Sequence, residues 1–222
     1  MNKRLLFILM IMAFFAQGCK LDPPLYGPPP KEDWSLSYQP VSNGSYWKYT
    51  IDQAGVAQDS SVLTVTGDKP VFNGKEYHTI YADTKHRKGN GYCYSDKNII
   101  TTRQANVSYN GQVTEIKYYD DTIPVGGSWE ENITDDGTLN GVPARMIGTL
   151  VAKDLTRTVH GINFPRVAHT RLLLQQDWGE GWETFATYDY YMNMGIGVIE
   201  NVGVQADGTD LGKIRIYDYS IK

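Results

Sequence analysis

The segment best suited to bind a ligand is an acidic turn between two tryptophans, Trp178-Gly179-Glu180-Gly181-Trp182-Glu183. Exposed tryptophan faces stack on the apolar faces of sugar rings, and carboxylates beside them accept hydrogen bonds from hydroxyl groups. With Tyr188 close behind, Trp178, Glu180 and Trp182 are therefore candidate ligand-binding residues in a glycan platform. The alternative, which we favour, is a hairpin whose tryptophans pack across the strands.

A catalytic use of the same turn is conceivable, with Glu180 and Glu183 as the acid and base of a glycosidase. Such a pair is defined by a carboxyl separation of roughly 5 to 9 Å, which spacing along the chain does not establish. Acid-rich surfaces also supply carboxylate pairs by chance. We therefore assign no catalytic residue and expect the protein not to be an enzyme.

Metal-binding patterns are weak throughout the sequence. The four histidines lie apart, with no His-x-x-x-His or Cys-x-x-Cys spacing: they are His78, His86, His160 and His169. We predict that His78 and His160 are solvated strand residues. Asp135-Asp136-Gly137 and Asp207-Gly208-Thr209-Asp210 match no complete calcium loop, and turns account for them. No metal and no cofactor is predicted.

The N-terminus has the organisation of a targeting segment. Lys3 and Arg4 precede an uncharged apolar run from Leu5 to Phe15, which is shorter than the roughly 20 residues that cross a membrane as a helix. Ala16-Gln17-Gly18-Cys19 follows and resembles the lipobox of bacterial lipoproteins, although Ala16 stands where leucine is usual. The resemblance implies a signal peptide over residues 1–18 and lipid attachment at Cys19.

The second cysteine, Cys93, is left without a partner if Cys19 carries lipid, so no intrachain disulfide is expected. It lies in the strand-like run Tyr92-Cys93-Tyr94, where we predict that the thiol is buried. A nucleophilic role would need a nearby base and an electropositive setting, and the sequence indicates neither.

Residues 19–33 form a predicted tether, because five prolines between Lys20 and Asp33 favour an extended spacer. Without residues 1–18 the chain carries 19 basic and 25 acidic residues, a net charge of −6. No cluster of Lys and Arg is present, so we exclude nucleic acid as a partner.

Residues 34–222 are predicted to be an all-β domain. Short β-branched or alternating runs recur, as in Tyr46 to Asp52, where large residues occupy every second position. Asn-Gly and Asp-Gly pairs separate the runs and are strong hairpin signals. We expect an antiparallel meander in the form of a curled sheet, a half-barrel or a sandwich.

Two motifs occur twice in the same order, which indicates two tandem similar β units at approximately 41–122 and 123–222. A Gly-x-x-Trp strand start ends at Trp47 and again at Trp129. A Gly-x-x-aromatic turn begins at Gly74 and again at Gly161. We predict that the tryptophans anchor the core and that the glycines make hairpin turns with positive φ.

The opening Gly44-Ser45-Tyr46-Trp47-Lys48-Tyr49, the Gly-x-x-Tyr turn and the closing Tyr190-Tyr191-Met192-Asn193-Met194-Gly195-Ile196-Gly197-Val198-Ile199 resemble a group of uncharacterised β-rich cell-envelope lipoproteins of Gram-negative bacteria. The resemblance spans most of the mature chain. It implies a location and a fold, since the group has no agreed activity.

We therefore expect a lipid-anchored protein of the cell envelope, in the outer membrane and facing the periplasm or the surface. It would be a non-enzymatic module that binds a ligand or an envelope protein, or a structural component. The alternative is a carbohydrate-binding or carbohydrate-active lipoprotein that uses the Trp178/Trp182 segment.

Overall fold

A computed structural model describes residues 33–53, 58–85, 87–105 and 111–222. The predicted signal peptide, Cys19 and the predicted tether up to residue 32 lie outside the described residues. Within the described ranges there are fifteen strands and no helix, which confirms the all-β prediction. The strands are β1 (Tyr46–Asp52), β2 (Asp59–Val65), β3 (Val71–Phe72), β4 (Lys75–Glu76), β5 (His78–Thr84), β6 (Lys88–Ser95), β7 (Ile99–Ala105), β8 (Val113–Asp120), β9 (Ser128–Asn132), β10 (Thr138–Leu139), β11 (Val142–Val159), β12 (Ile162–Asp177), β13 (Trp182–Asn193), β14 (Gly197–Gln205) and β15 (Asp210–Ser220).

Thirteen of these strands form one antiparallel sheet in the order β10-β11-β12-β13-β14-β15-β1-β2-β5-β6-β7-β8, with β9 paired to β11. Most neighbours in the sheet are also neighbours in the chain, as expected of a meander. The exceptions are β2 and β5, which pair although the separate β3–β4 hairpin lies between them in the chain, β9, which pairs with β11, and β1, which lies between β2 and the last strand, β15. Strands β3 and β4 form a separate small hairpin.

The sheet curls until its two ends meet, so that it is nearly a closed barrel. Three bonds connect β8 to the far end of the sheet. Glu115 N donates to Ile133 O at 2.7 Å, the Trp129 indole N–H donates to Lys117 O at 3.3 Å, and Thr170 Oγ1 donates to Tyr118 O at 2.7 Å. The curled-sheet and half-barrel forms of the prediction are confirmed.

The two chain halves enter the sheet through the same backbone arrangement. In each half, a positive-φ glycine before the strand start and the residue after it exchange two hydrogen bonds with a buried aliphatic residue. The bonds are Gly44 N to Val65 O (3.0 Å) and Val65 N to Ser45 O (2.9 Å), then Gly126 N to Leu150 O (2.7 Å) and Leu150 N to Gly127 O (3.1 Å). The two strand starts thus share one local backbone arrangement, whereas the two tandem units and their boundaries stay a prediction.

The repeated tryptophans and glycines have the roles that their types predict. Trp47 and Trp129 are buried near the starts of β1 and β9. Gly74 and Gly161 have φ of 77° and 78° at hairpin turns, where a side chain would be strained. The aromatic residues three positions after these glycines, Tyr77 and Phe164, are both buried. These predictions are confirmed.

The segment before β1 packs into one end of the curled sheet. Trp34 and Tyr38 are buried there. Ser37 O accepts a hydrogen bond of 2.7 Å from Gly195 N, between β13 and β14, and Gln39 O accepts one of 3.0 Å from Ser95 Oγ, at the end of β6. Since adjacent strands are antiparallel, the β12–β13 hairpin lies at the opposite end of the strands.

Candidate functional site

The Trp178–Trp182 segment is the turn of the β12–β13 hairpin, and both indoles are exposed. Trp178 is 69% exposed and Trp182 is 39% exposed. The turn is held by Asp177, whose Oδ1 accepts hydrogen bonds from Gly179 N at 2.8 Å and Gly181 N at 3.1 Å. The segment is therefore a hairpin, as the favoured interpretation predicts, but its tryptophans are not cross-strand partners: Trp182 is opposite Asp177, and both indoles are accessible to a ligand.

Arg145 of β11 supports Trp182 from the neighbouring strands. Its guanidinium carbon lies 4.2 Å from the centre of the Trp182 ring, within cation–π range. The guanidinium is itself fixed, because Nε donates to Gln175 Oε1 at 2.9 Å and Nη1 donates to Glu130 Oε1 at 3.0 Å. The hairpin surface, defined here as Trp178, Glu180, Trp182 and Arg145, thus combines aromatic, cationic and acidic groups.

Tyr188 lies away from this surface, although it was predicted to share it. Its ring packs against the inner hydrophobic core and lies over Gly203, where an added Cβ would come within 2.6 Å of Tyr188 Cε1. A register shift between Leu174 and Gln175 separates Trp182 from Tyr188 along β13 and changes which residues face outward. Tyr188 is therefore not part of the hairpin surface.

Glu180 and Glu183 are both exposed, at the hairpin tip and at the second residue of β13. Glu183 is opposite Gln176 in the β12–β13 pairing. Neither carboxylate lines the interior cavity described below. The arrangement places both groups where they could accept hydrogen bonds from a ligand on the hairpin.

Cys93 is 2% exposed on the inner side of β6, which confirms that it is buried. Burial raises the pKa of the Cys93 thiol to about 12. Since the thiolate is the reactive form, this cysteine is inert at neutral pH in the folded protein.

The predictions for His160 and His78 have different outcomes. His160 is exposed, as predicted, but it lies in the β11–β12 turn and not in a strand, 3.1 Å from Thr50 Oγ1. His78 is 8% exposed, so the prediction of a solvated side chain is wrong. Its ring meets the buried Trp34 ring edge-on at 6.1 Å, because the segment before β1 covers this end of the sheet.

The described ranges hold no group of three or more His, Cys, Asp or Glu side chains arranged to bind a metal ion. Asp135-Asp136-Gly137 forms a turn, and Asp135 makes a two-bond ion pair with Arg103 at 2.8 and 2.5 Å. Nor do these ranges contain a helix long and apolar enough to cross a membrane.

A cavity of about 400 Å³ lies inside the curled sheet. Its walls are the inner faces of β1, β2 and β5–β8 on one side and of β13–β15 on the other. Neither motif nor spacing in the sequence points to it. The described part of the nearly closed, all-β sheet therefore has two candidate sites: the hairpin surface on the outside and this cavity on the inside.

Two solved structures share this fold. A "putative lipoprotein" of Parabacteroides distasonis superposes with a TM-score of 0.53 at 11% identity, covering 85% of this chain and all of its own. A "putative exported protein with YmcC-like fold" of Bacteroides fragilis has a TM-score of 0.52 at 8% identity, covering 83% of this chain and 99% of its own. No protein-family profile and no curated protein sequence matches the chain. At these identities, the likeness establishes the fold.

Proposed function

We propose that this protein is a non-enzymatic binding module of the bacterial cell envelope, anchored by lipid at Cys19, and that it binds a glycan on the hairpin surface. The anchor is supported by the lipobox pattern before Cys19 and the proline-rich residues that follow. The names of the two structural neighbours, one a lipoprotein and one an exported protein, agree with an envelope location.

The observation that carries the binding proposal is the exposure of Trp178 and Trp182 on a turn held by Asp177. Large aromatic side chains are normally buried, and those left accessible on an ordered element are typical of binding surfaces. The hairpin also lies at the end of the strands away from the segment before β1. A ligand could therefore reach it without contacting the point where the chain enters the sheet.

A glycan fits this surface better than an apolar partner does. Arg145 covers Trp182 at 4.2 Å, so the ring has a polar, planar neighbour. Glu130 and Gln175 hold the Arg145 guanidinium, and Glu180 lies between the two tryptophans in the turn. Aromatic faces with polar groups at their edges match the alternating apolar faces and hydroxyl edges of a sugar ring.

Binding is tested with the mature protein in detergent on an array of bacterial envelope glycans. Trp178→Ala and Trp182→Ala should each weaken binding by at least about 30-fold, as hot-spot aromatic residues do when truncated. Tyr219→Ala is the matched control, since Tyr219 is also 39% exposed but lies on β15. Binding that is absent, or that responds equally to all three changes, would remove the platform.

The anchor is tested separately in cells, by incorporation of labelled palmitate. The native protein should be labelled and fractionate with membranes, whereas Cys19→Ala should be neither labelled nor processed. Labelling that survives this substitution would show that Cys19 is not the attachment site.

If an envelope protein rather than a glycan occupied the hairpin surface, crosslinks to that protein that depend on Trp178 and Trp182 would replace the array signal.

A further inference from the structure

The interior cavity is partly open to solvent, and apolar side chains from strands far apart in the sequence form much of its lining. Tyr49 and Ile51 of β1, Leu63 of β2, Ile80 of β5 and Ile214 of β15 contribute to its walls. Its volume, about 400 Å³, falls within the range of small-molecule sites in proteins. An apolar cavity of about 150 Å³ holds benzene, so this one has room for roughly sixteen carbon atoms.

Small residues on β5 and β6 create this space. Ala82, Gly89 and Gly91 line the cavity where larger side chains would fill it, and Ala82 is opposite Gly89 in the strand pairing. A Cβ added to Gly89 would meet no atom within 4 Å, and one added to Gly91 would make ordinary contacts at 3.9 to 4.0 Å. Neither glycine has the positive φ that would require it. Glycine inside a strand often marks close approach of a ligand.

Three buried polar groups in the walls are already bonded to the protein, and the other polar side chains that line the cavity include the exposed Asn90 and Gln104. Tyr118 OH donates to Gln39 Oε1 at 3.3 Å, and Tyr49 OH donates to Val198 O at 2.9 Å. Asn201 Nδ2 donates to Asp189 O at 3.3 Å. A polar ligand would lose its hydration without gaining these partners. The walls therefore favour a ligand whose buried part is hydrocarbon.

Two arginines line the cavity: Arg103, which is paired with Glu115 and Asp135, and Arg87 at the β5–β6 turn. Arg87 is exposed, and its Nη2 donates to Ala105 O at 3.0 Å. No carboxylate of the described residues lies within ion-pairing distance of this guanidinium, whereas neighbouring Lys88 is paired with Asp83 at 3.0 Å. Arg87 can therefore pair with an anionic group on a ligand that extends into the cavity.

Because Arg87 lies beside a cavity with a largely apolar lining, we propose that the cavity binds a long-chain fatty acid. The alkyl chain would lie inside the curled sheet, and the carboxylate would pair with Arg87. This site is distinct from the hairpin surface and does not depend on glycan binding there. Neither of the neighbouring solved structures is described as binding a lipid.

The test uses hexadecanoate with a diazirine in mid-chain, photolysed in membranes that contain the full-length protein, and peptide mass spectrometry to locate the adducts. Adducts are expected on the inner faces of β1, β8 and β13, for example on Tyr49, Tyr118 and Tyr190. Gly91→Leu should lower their yield at least about tenfold, because its side chain occupies space for several methylenes. Lys88→Leu is the matched control, since it adds leucine on the same strand at an exposed position.

The headgroup assignment is tested with the corresponding hexadecanol probe. Arg87→Gln should reduce adducts of the acid severalfold and leave those of the alcohol unchanged. Ala82→Leu gives a second cavity-filling variant if Gly91→Leu fails to fold, as judged by circular dichroism. Adducts confined to the outer surface, or equal yields in the native and filled proteins, would overturn the cavity site. Equal losses of acid and alcohol in Arg87→Gln would overturn the role of Arg87.

Discussion

Gly148 of β11 allows the indole of Trp129 to pack directly on the backbone of the neighbouring strand. The two residues are opposite each other in the β9–β11 pairing. A Cβ on Gly148 would lie 2.1 Å from Trp129 Cε2 and 2.2 Å from Cζ2, far inside van der Waals contact. Gly148 does not have a positive φ, so the obstacle to alanine is steric rather than conformational.

Gly148→Ala should therefore force the indole out of its position and lower the free energy of unfolding by about 1–3 kcal/mol, as overpacking does elsewhere. The indole would also lose its hydrogen bond to Lys117 O. Trp129→Ala alone should cost about 3–5 kcal/mol. With that space vacated, Gly148→Ala should instead be stabilising by about 0.5–1 kcal/mol, because alanine restricts the unfolded chain.

The double-mutant cycle thus predicts a coupling free energy of about 1.5–4 kcal/mol. Urea unfolding followed by far-ultraviolet circular dichroism measures it without relying on tryptophan fluorescence. Gly89→Ala is the control, since a Cβ there meets nothing within 4 Å. If Gly148→Ala matches the native protein, or if the two substitutions add to within about 0.5 kcal/mol, the packing argument is refuted.

Two further predictions concern ionisable groups. Cys93, with its pKa raised to about 12 by burial, should not react with a maleimide at pH 7.5 in the folded protein and should react fully in 8 M urea; rapid labelling of the native state would contradict its burial. A hydrogen bond from Arg103 lowers the pKa of the Asp135 carboxyl in the folded protein. The ionised group therefore stabilises the fold at pH values above its unfolded pKa, near 3.9. This stabilisation is lost as the pH falls through the lower folded pKa. Asp135→Asn should therefore lower the urea midpoint at pH 7 by an amount that shrinks below about pH 4; a difference that is constant with pH would contradict this linkage.

Much of the strand pattern was predictable because the half-buried strands show alternation in their sequences. The run predicted from Tyr46 to Asp52 is β1 to the residue. The two-residue strands β3, β4 and β10 are too short to show a period. The full lengths of β11 and β12, 18 and 16 residues, are harder to predict, because register shifts after Leu150 interrupt the alternation that marks a strand in sequence.

The candidate sites were less predictable, because they depend on register and curvature. The hairpin tryptophans could be found as a local motif. Arg145, however, reaches Trp182 only through strand pairing across β12. Tyr188 and Trp182 are an even number of residues apart and would share a face on a regular strand, but the bulge near Gln175 breaks that relation. The interior cavity depends on how far the whole sheet curls.

The position of β1 between β2 and β15 has a consequence for how the chain reaches its native state. Strands β1 and β15 are neighbours in the sheet, and the Thr50 hydroxyl donates a hydrogen bond to Arg215 O. These two residues are 165 positions apart in sequence. One edge of β1 therefore stays unpaired until β15, the last strand, has been synthesised and has reached the folding sheet. Contacts of such long range slow folding. A chaperone that covers the edge of β1 during this interval would protect the unfolded protein from pairing with other chains.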